Sequence, residues 1–261
     1  MTAASDMQAV EEVARAAGRS ALRFFSTELV VDAKADGSPV TIADRTAEQL
    51  ARDWITTRFP SDGILGEEYG TRESAATRRW IIDPIDGTKS FIRGVPMWGT
   101  LVAVAETDTV IAGAAYFPAL DEMVVAAIGE GCWHNDQRCS VSHVADIAAA
   151  TVLTTDDRFA GDSMRKQRWD ELASAAALSR TWGDCYGYFL VATGRAEVMV
   201  DPVVSEWDIA ALVPIIAEAG GVFTDWTGVS PFGGSAIATN AALAHEVRHI
   251  LGATSAMEQR R

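Results

Sequence analysis

Long apolar runs are missing from this chain of 261 residues. No stretch approaches the ~20 uninterrupted apolar residues of a transmembrane helix, so no membrane span is expected. Residues 1–20 mix acids and bases and hold no apolar segment of signal-peptide length. Cysteine is scarce: three, an odd number, do not build a disulfide framework and read as reduced and intracellular, hence cytoplasmic. Positive charge is in deficit, with 22 Lys and Arg against 36 Asp and Glu and a formal net charge of -14. That balance argues against a nucleic-acid partner and against an anionic membrane surface. G-x-S-x-G, Walker A and Rossmann glycine patterns do not occur. The glycine-rich GVSPFGG (228–234) lacks the lysine of a P-loop. No internal repeat or low-complexity linker appears. What the chain does have is 48% hydrophobic residues, enough for a substantial core in one large domain or two closely packed lobes.

The pattern alternates helical and strand signals. Residues 6–25 and 44–58 carry apolar positions at helical spacing, with a turn at DGSP (36–39) between them. Ile64–Leu65 and RWII (79–82) look like strands, and DPIDGTKSF after them is too rich in turn residues to continue the second one. GTLVAVAE, TVIAGAAYFP, DEMVVAAI and GCWHN are short and β-prone, which predicts an antiparallel meander. A first lobe then ends near residue 145. In the second, 146–261, strands are expected at TVLTTD, AEVMVDP, GVFTDWTG and SAIATN. Helices are expected at 162–178, from Gly183, over WDIAALVPIIAEAGG (207–221) as one long apolar helix, and at 242–253. SAMEQRR (255–261) is expected to fray.

The chemistry sits in carboxylates at the ends of these elements. In WIIDPIDGTKSF (80–91), Asp83 closes an apolar strand and Asp86 follows a stiffening proline. Gly87 can take a backbone conformation closed to other residues. A turn of this kind can aim both carboxylates and the Ile85 carbonyl into one cavity, an oxygen-only donor set that suits Mg²⁺. Thr88 adds a hydroxyl and opens a short helix, whose free N–H groups favour phosphate. Taken alone, Asp83 and Asp86 also fit as turn residues, and Asp44 and Asp208 also fit as helix N-caps. GEE (66–68), Asp44 after VTIA and Asp208 in EWDIAAL raise the number of such acids, which together suit a multi-metal hydrolytic site. Cys132, His134, Cys139 and His143 do not have zinc spacing; GCWHNDQRCS reads instead as a hairpin with its side chains on different faces.

GEE, WIIDPIDGTKSFIRGVP and WDIAALVPIIAEAGG, with VTIAD and LVATGRAE in their expected places, resemble the inositol monophosphatase family over nearly the whole chain. The resemblance implies an α/β fold, a layered αβαβα sandwich, and a phosphate monoesterase using two or three Mg²⁺ ions, for which Mn²⁺ is expected to substitute. It implies Glu67, Asp83 and the Ile85 carbonyl at a first metal and Asp83, Asp86 and Asp208 at a second. Asp44 and Thr88 would orient and activate the attacking water, Glu67 would also help place a third, mostly water-coordinated ion, the Gly87 and Thr88 amides would meet phosphate, and Lys34 and Glu68 would support the site. A homodimer is implied as well. RTWGDCYGY (180–188) departs from inositol-type members and is similar to the histidinol-phosphate phosphatases of histidine biosynthesis. On that resemblance Asp184, Asp201 and Glu206 would answer the substrate's positive charge and Trp182 or Tyr186 would cover its imidazole. Arg180 is either a salt-bridge residue or a substrate contact. The alternative is an inositol-1-phosphate or broad sugar-phosphate phosphatase.

Overall fold

The computed structural model describes residues 2–34, 37–229 and 231–253. Asp36 of the expected turn and the expected frayed end at 255–261 lie outside them. The chain opens with α1 (Ala3–Leu22), a small hairpin of β1 (Asp32–Ala33) and β2 (Pro39–Val40), and α2 (Ile42–Arg58). There follow β3 (Gly63–Gly66), β4 (Gly70–Arg72), β5 (Arg78–Asp86) and the one-turn α3 (Thr88–Phe91). The predicted meander is β6 (Gly99–Glu106), β7 (Thr109–Phe117), β8 (Glu122–Ala127) and β9 (Gly131–His134), with β10 (Gln137–Arg138) folding back on β9. These strands form one eight-stranded sheet in the order β10-β9-β8-β7-β6-β5-β3-β4. After them come β11 (Thr151–Thr154), α4 (Ser163–Ala175), β12 (Leu178–Arg180), α5 (Asp184–Ala192) and β13 (Val198–Asp201). The chain closes with α6 (Glu206–Ile209), α7 (Leu212–Glu218), β14 (Gly221–Thr224), β15 (Ala236–Asn240) and α8 (Ala244–Leu251). Here the sheet has five strands, ordered β12-β11-β13-β15-β14.

Strand alternation sorts these elements into layers, because successive side chains of a strand face opposite sides. Trp80 and Ile82 of β5 join Val10, Val13 and Ala47 of α1 and α2, while Ile81 joins a second core with Phe189 of α5 and Ile215 of α7. In the smaller sheet Met199 faces that same central core, and Val198 and Val200 face Trp169, Leu172 and Val247 of α4 and α8. The result is the αβαβα sandwich, with α5 and α7 buried between two sheets. Sheets covered on both faces need continuous apolar strands, which is why β6 and β7 show little polar alternation.

Four expectations change. β5 does not stop before the proline: it runs through Pro84 to Asp86, with a shift of register against β6 between Asp83 and Asp86. A bulge absorbs the residue that cannot donate to the ladder. The long helix at 207–221 is split into α6 and α7. Pro214 has no N–H to offer the Ala210 carbonyl, so the helical ladder breaks there. The helix expected at 162–178 ends at Ala175, and Leu178–Arg180 forms the edge strand β12, parallel to β11. The predicted hairpin at 131–140 is present, but Cys132 and Cys139 share a face, their sulfurs 3.4 Å apart.

Candidate active site

Loops at the carboxyl ends of β3, β5, β11 and β13 meet the N-termini of α2, α5 and α6, the position where layered α/β folds gather reacting groups. Asp83 and Asp86 stand at the end of β5, and Asp208 in the first turn of α6. Their carboxylates each bring an oxygen within 4.8 Å of the other two. The bulge arranges the donors: Asp83 Oδ1 accepts from the Ile85 amide at 3.0 Å, and the Ile85 carbonyl accepts from the Thr88 hydroxyl at 3.0 Å. A carbonyl has a second lone pair, so Ile85 keeps one acceptor site for a cation. Gly87 turns the chain at φ +82°, a left-handed conformation that favours glycine.

Asp44 and Asp208 are held by the same local device. Each also fitted as an N-cap; each is instead the third residue of its helix. Asp44 Oδ2 accepts from the Thr41 amide and hydroxyl, both at 2.7 Å, and Asp208 Oδ2 accepts from the Ser205 amide at 2.7 Å. Capping engages one oxygen of each carboxylate. Asp44 Oδ1 is buried with no hydrogen-bond partner among the described residues.

Burial and mutual repulsion raise these acids together. Burial pushes Asp83 well above the usual range, reinforced by Glu67, Asp86 and Asp208. Asp86 also lies well above it, through burial and then Asp184 and Asp208, against a 2.5 Å hydrogen bond from the Cys185 amide. Asp208 is pushed up to about 6 and Asp184 to about 7, in both cases by burial first. Lys89 opposes the rise of Asp184, whereas the charges that raise Asp83, Asp86 and Asp208 are other acids, and Asp44 Oδ1 faces no donor. An oxygen-rich, anionic set of this kind fits hard divalent cations.

A family model described as the inositol monophosphatase family matches residues 4–258. The chain belongs to the inositol monophosphatase family. Family members are metal-dependent phosphatases, and the cluster of Asp83, Asp86 and Asp208 could hold a metal ion. The chain is 46% identical to a histidinol-phosphatase of Chlorobaculum parvum, over 85% of this chain and 86% of that one. It is 40% identical to a histidinol-phosphatase of Mycobacterium tuberculosis, over 87% and 89%. Among solved structures, it resembles an inositol monophosphatase from Zymomonas mobilis with a TM-score of 0.85 and 30% identity, covering 97% and 99% of the two chains. Among the described residues, no helix is long and apolar enough to cross a membrane.

In this phosphatase the remaining expected residues divide. Glu67 adjoins Asp83 but stands outside the triad, drawn to Lys34, whose Nζ donates to Glu67 at 2.7 Å and Glu68 at 2.6 Å. Asp184 and Asp201 line one cavity with Asp86, Asp208, Thr155 and Tyr188. Trp182, Tyr186, Glu206 and Arg180 do not line that cavity. Tyr186 packs edge-on against Phe117, Glu206 is ion-paired to Arg79, and Trp182 is exposed. Arg180 lies exposed on edge strand β12 and donates to the Ser179 carbonyl.

Two residues carry the site without having stood out in the sequence. Thr155 donates its amide to Asp201 at 3.1 Å and accepts the Asp184 amide on its hydroxyl at 2.8 Å, tying the two cavity acids together. Glu48, fully buried on α2, accepts the Glu68 amide at 2.7 Å, the Tyr69 amide at 3.2 Å and Arg52 Nε at 2.7 Å. It thereby anchors the loop that carries Glu67. A Cβ on Gly66 would overlap the Glu48 carboxylate, so glycine is needed for that anchor to reach. In sequence, Glu48 and Arg52 show only the spacing of a surface ion pair.

Proposed function

We propose that the chain is a Mg²⁺-dependent histidinol-phosphatase that hydrolyses L-histidinol phosphate to L-histidinol and phosphate in histidine biosynthesis. The observation that carries the reading is a pair of carboxylates, the half-buried Asp184 and the buried Asp201, in the same cavity as Asp86 and Asp208 of the acidic cluster. A neutral polyol brings no charge to these acids, whereas an ammonium on the leaving group adds to the partial compensation that Lys89 gives Asp184. Its likeness to two histidinol-phosphatases supports the same choice.

Asp83, Asp86 and Asp208, with Glu67 and the Ile85 carbonyl, would hold two or three Mg²⁺ ions, and Mn²⁺ would substitute. When bound, the ions neutralise the phosphate and stabilise negative charge developing on attack and departure. The free Asp44 Oδ1 accepts one proton of the attacking water. Thr88 gives its own proton to Ile85, so its oxygen lone pairs can accept the other. A water held by two acceptors presents its lone pair to phosphorus. The amides of Gly87 and Thr88 face the phosphate oxygens, and Lys34 steadies Glu67 and Glu68. Asp184 and Asp201 orient the leaving group through its ammonium. The reading includes two lobes, 1–145 and 146–261, acting as one unit, a homodimer and a cytoplasmic location.

Phosphate release from L-histidinol phosphate, inositol 1-phosphate and p-nitrophenyl phosphate in the presence of Mg²⁺ tests it. The expected order of kcat/KM puts histidinol phosphate first. Asp184→Asn should lower that value about 10- to 100-fold, as one charge-assisted contact of about 1.5–3 kcal/mol is lost, with p-nitrophenyl phosphate changed little. A preference for inositol 1-phosphate, or an unchanged ratio in the mutant, assigns the pocket to a polyol phosphate instead. Asp201, which accepts from the Tyr188 hydroxyl at 2.8 Å, has the chemistry to take a substrate hydroxyl as well.

A further inference from the structure

Cys132 and Cys139 lie outside everything the hydrolytic chemistry uses, yet the fold places them together. β9 and β10 pair antiparallel, with Gln137 opposite His134 and Arg138 opposite Trp133. The next step of that register sets Cys139 opposite Cys132, and the Cys139 amide donates to the Cys132 carbonyl at 3.0 Å. Opposed residues in an antiparallel ladder have Cα atoms about 4.5–5.5 Å apart, within the span of about 4.4–6.8 Å that a disulfide bridges. The two side chains point the same way, with Sγ atoms 3.4 Å apart and both thiols free. Asn135 and Asp136, both at positive φ, close the turn, so the register has little room to slip.

We propose that Cys132 and Cys139 are a redox modification site, a dithiol that hydroperoxides convert to an intramolecular disulfide across the β9–β10 hairpin. The two sulfurs differ in access: Cys139 is half-buried, whereas Cys132 is 1% exposed and packed into the central core. Cys139 is therefore the attacking group. The Cys132 thiol bonded to it lowers its pKa, and the Arg195 guanidinium acts in the same direction against the effect of burial. The Cys139 thiolate attacks the peroxide; the O–O bond breaks, an S–O bond forms, and the leaving oxygen takes a proton as water or an alcohol. Cys132 then attacks the sulfenyl sulfur. The S–S bond forms, the S–O bond breaks, and hydroxide departs as water with the Cys132 proton. Two thiols are oxidised and one peroxide is reduced. The third cysteine is a control within the same chain. Cys185 is 1% exposed, and burial pushes its thiol well above the ordinary range, so it should stay reduced.

The chain offers a direct assay. Trypsin cuts after Arg138, which separates Cys132, in peptide 94–138, from Cys139, in peptide 139–158. Folded, fully reduced protein is treated with hydrogen peroxide, its remaining thiols are alkylated, and the digest is read by mass spectrometry. The expected result is peptide 94–138 joined to 139–158, Cys185 alkylated, and full reversal by a dithiol reductant. Cys139→Ser and, separately, Cys139→Ala should abolish the link and leave Cys132 as reduced as Cys185. Three outcomes overturn the proposal: unlinked peptides with Cys139 driven to sulfinic acid, a link between chains, or oxidation of Cys185 at the same rate.

Discussion

At its first residue, β5 places Arg78 against two buried acids, Asp6 at 2.5 Å and Asp62 at 3.0 Å, and the Trp80 indole donates to Asp62 as well. At its last residues the same strand places Asp83 and Asp86 against Asp208, with no cation among the three. Both ends bury negative charge. One end offsets part of it from within, where the arginine fork ties α1 and the loop before β3 to the sheet. The other leaves it open, so the site is completed only by positive charge from outside. Buried acids by themselves do not mark a site; buried acids whose nearest charged neighbours are other acids do.

The sharpest test of that contrast is Asp83→Asn. Turnover should fall about 10²- to 10³-fold, the scale on which one electrostatic contact to the transition state acts, and Mn²⁺ binding followed by electron paramagnetic resonance should weaken with it. The metal-free variant should unfold at the same temperature as wild type or higher, because one of three repelling charges is gone. At the opposite end, Arg78→Met strands Asp6 and Asp62 and should cost about 3–5 kcal/mol in denaturant unfolding, the penalty for breaking a buried charge pair. Its melting temperature should still rise on adding Mg²⁺. A wild-type stability for Arg78→Met, or a large loss for metal-free Asp83→Asn, would erase the distinction between the two ends.

Glu48→Gln lies between them. It keeps the shape but loses the charged anchor that holds the Glu67 loop. Mg²⁺ affinity, measured by calorimetry, should fall about 10- to 100-fold, as for residues that orient metal ligands, while kcat at saturating Mg²⁺ stays close to wild type. The smallest expected effect is on pH dependence. Asp208 and Asp184 titrate at about 6 and about 7 in the folded chain, above the ordinary 3.8. Between those limits the metal-free folded state holds protons that the unfolded chain has released. The stability these groups contribute is therefore complete below pH 3.8 and lost as pH rises through about 6 to 7. Mg²⁺ offsets the repulsion that remains, so the gain in melting temperature on adding Mg²⁺ should grow by a few degrees from pH 4 to pH 7. A gain that is flat with pH would mean that the cluster is not what the ion neutralises.

Much of this was legible before the fold was seen. The meander at 99–134, the apolar strands, and the acids placed at element ends all follow from short-range patterning and turn chemistry, which act within a few residues. D-P-x-D-G-T and W-D marked the three acids that converge because a strand end and a helix start leave their own local traces. Local rules also misled. Pro84 looked like the end of a strand that a bulge carries onward, and 207–221 looked like one helix because its apolar pattern is unbroken while a single missing N–H divides it. Glu206, Tyr186 and Trp182, expected at the substrate on the family resemblance, meet Arg79, Phe117 and solvent within the single chain.

The sequence by itself determined the meander, the acids at element ends and the oxygen-only character of the site, since each depends on residue type and near-neighbour spacing; the layered class came with the family resemblance. Only the tertiary structure decided which acids converge. The approach of Asp208 to Asp83, the reach of Glu48 under Gly66 and the meeting of Thr155 with Asp184 and Asp201 join residues far apart in the chain. No local preference of either partner specifies such a contact. It follows from how two sheets and the helices between them fill one volume, and close packing allows few arrangements that do so.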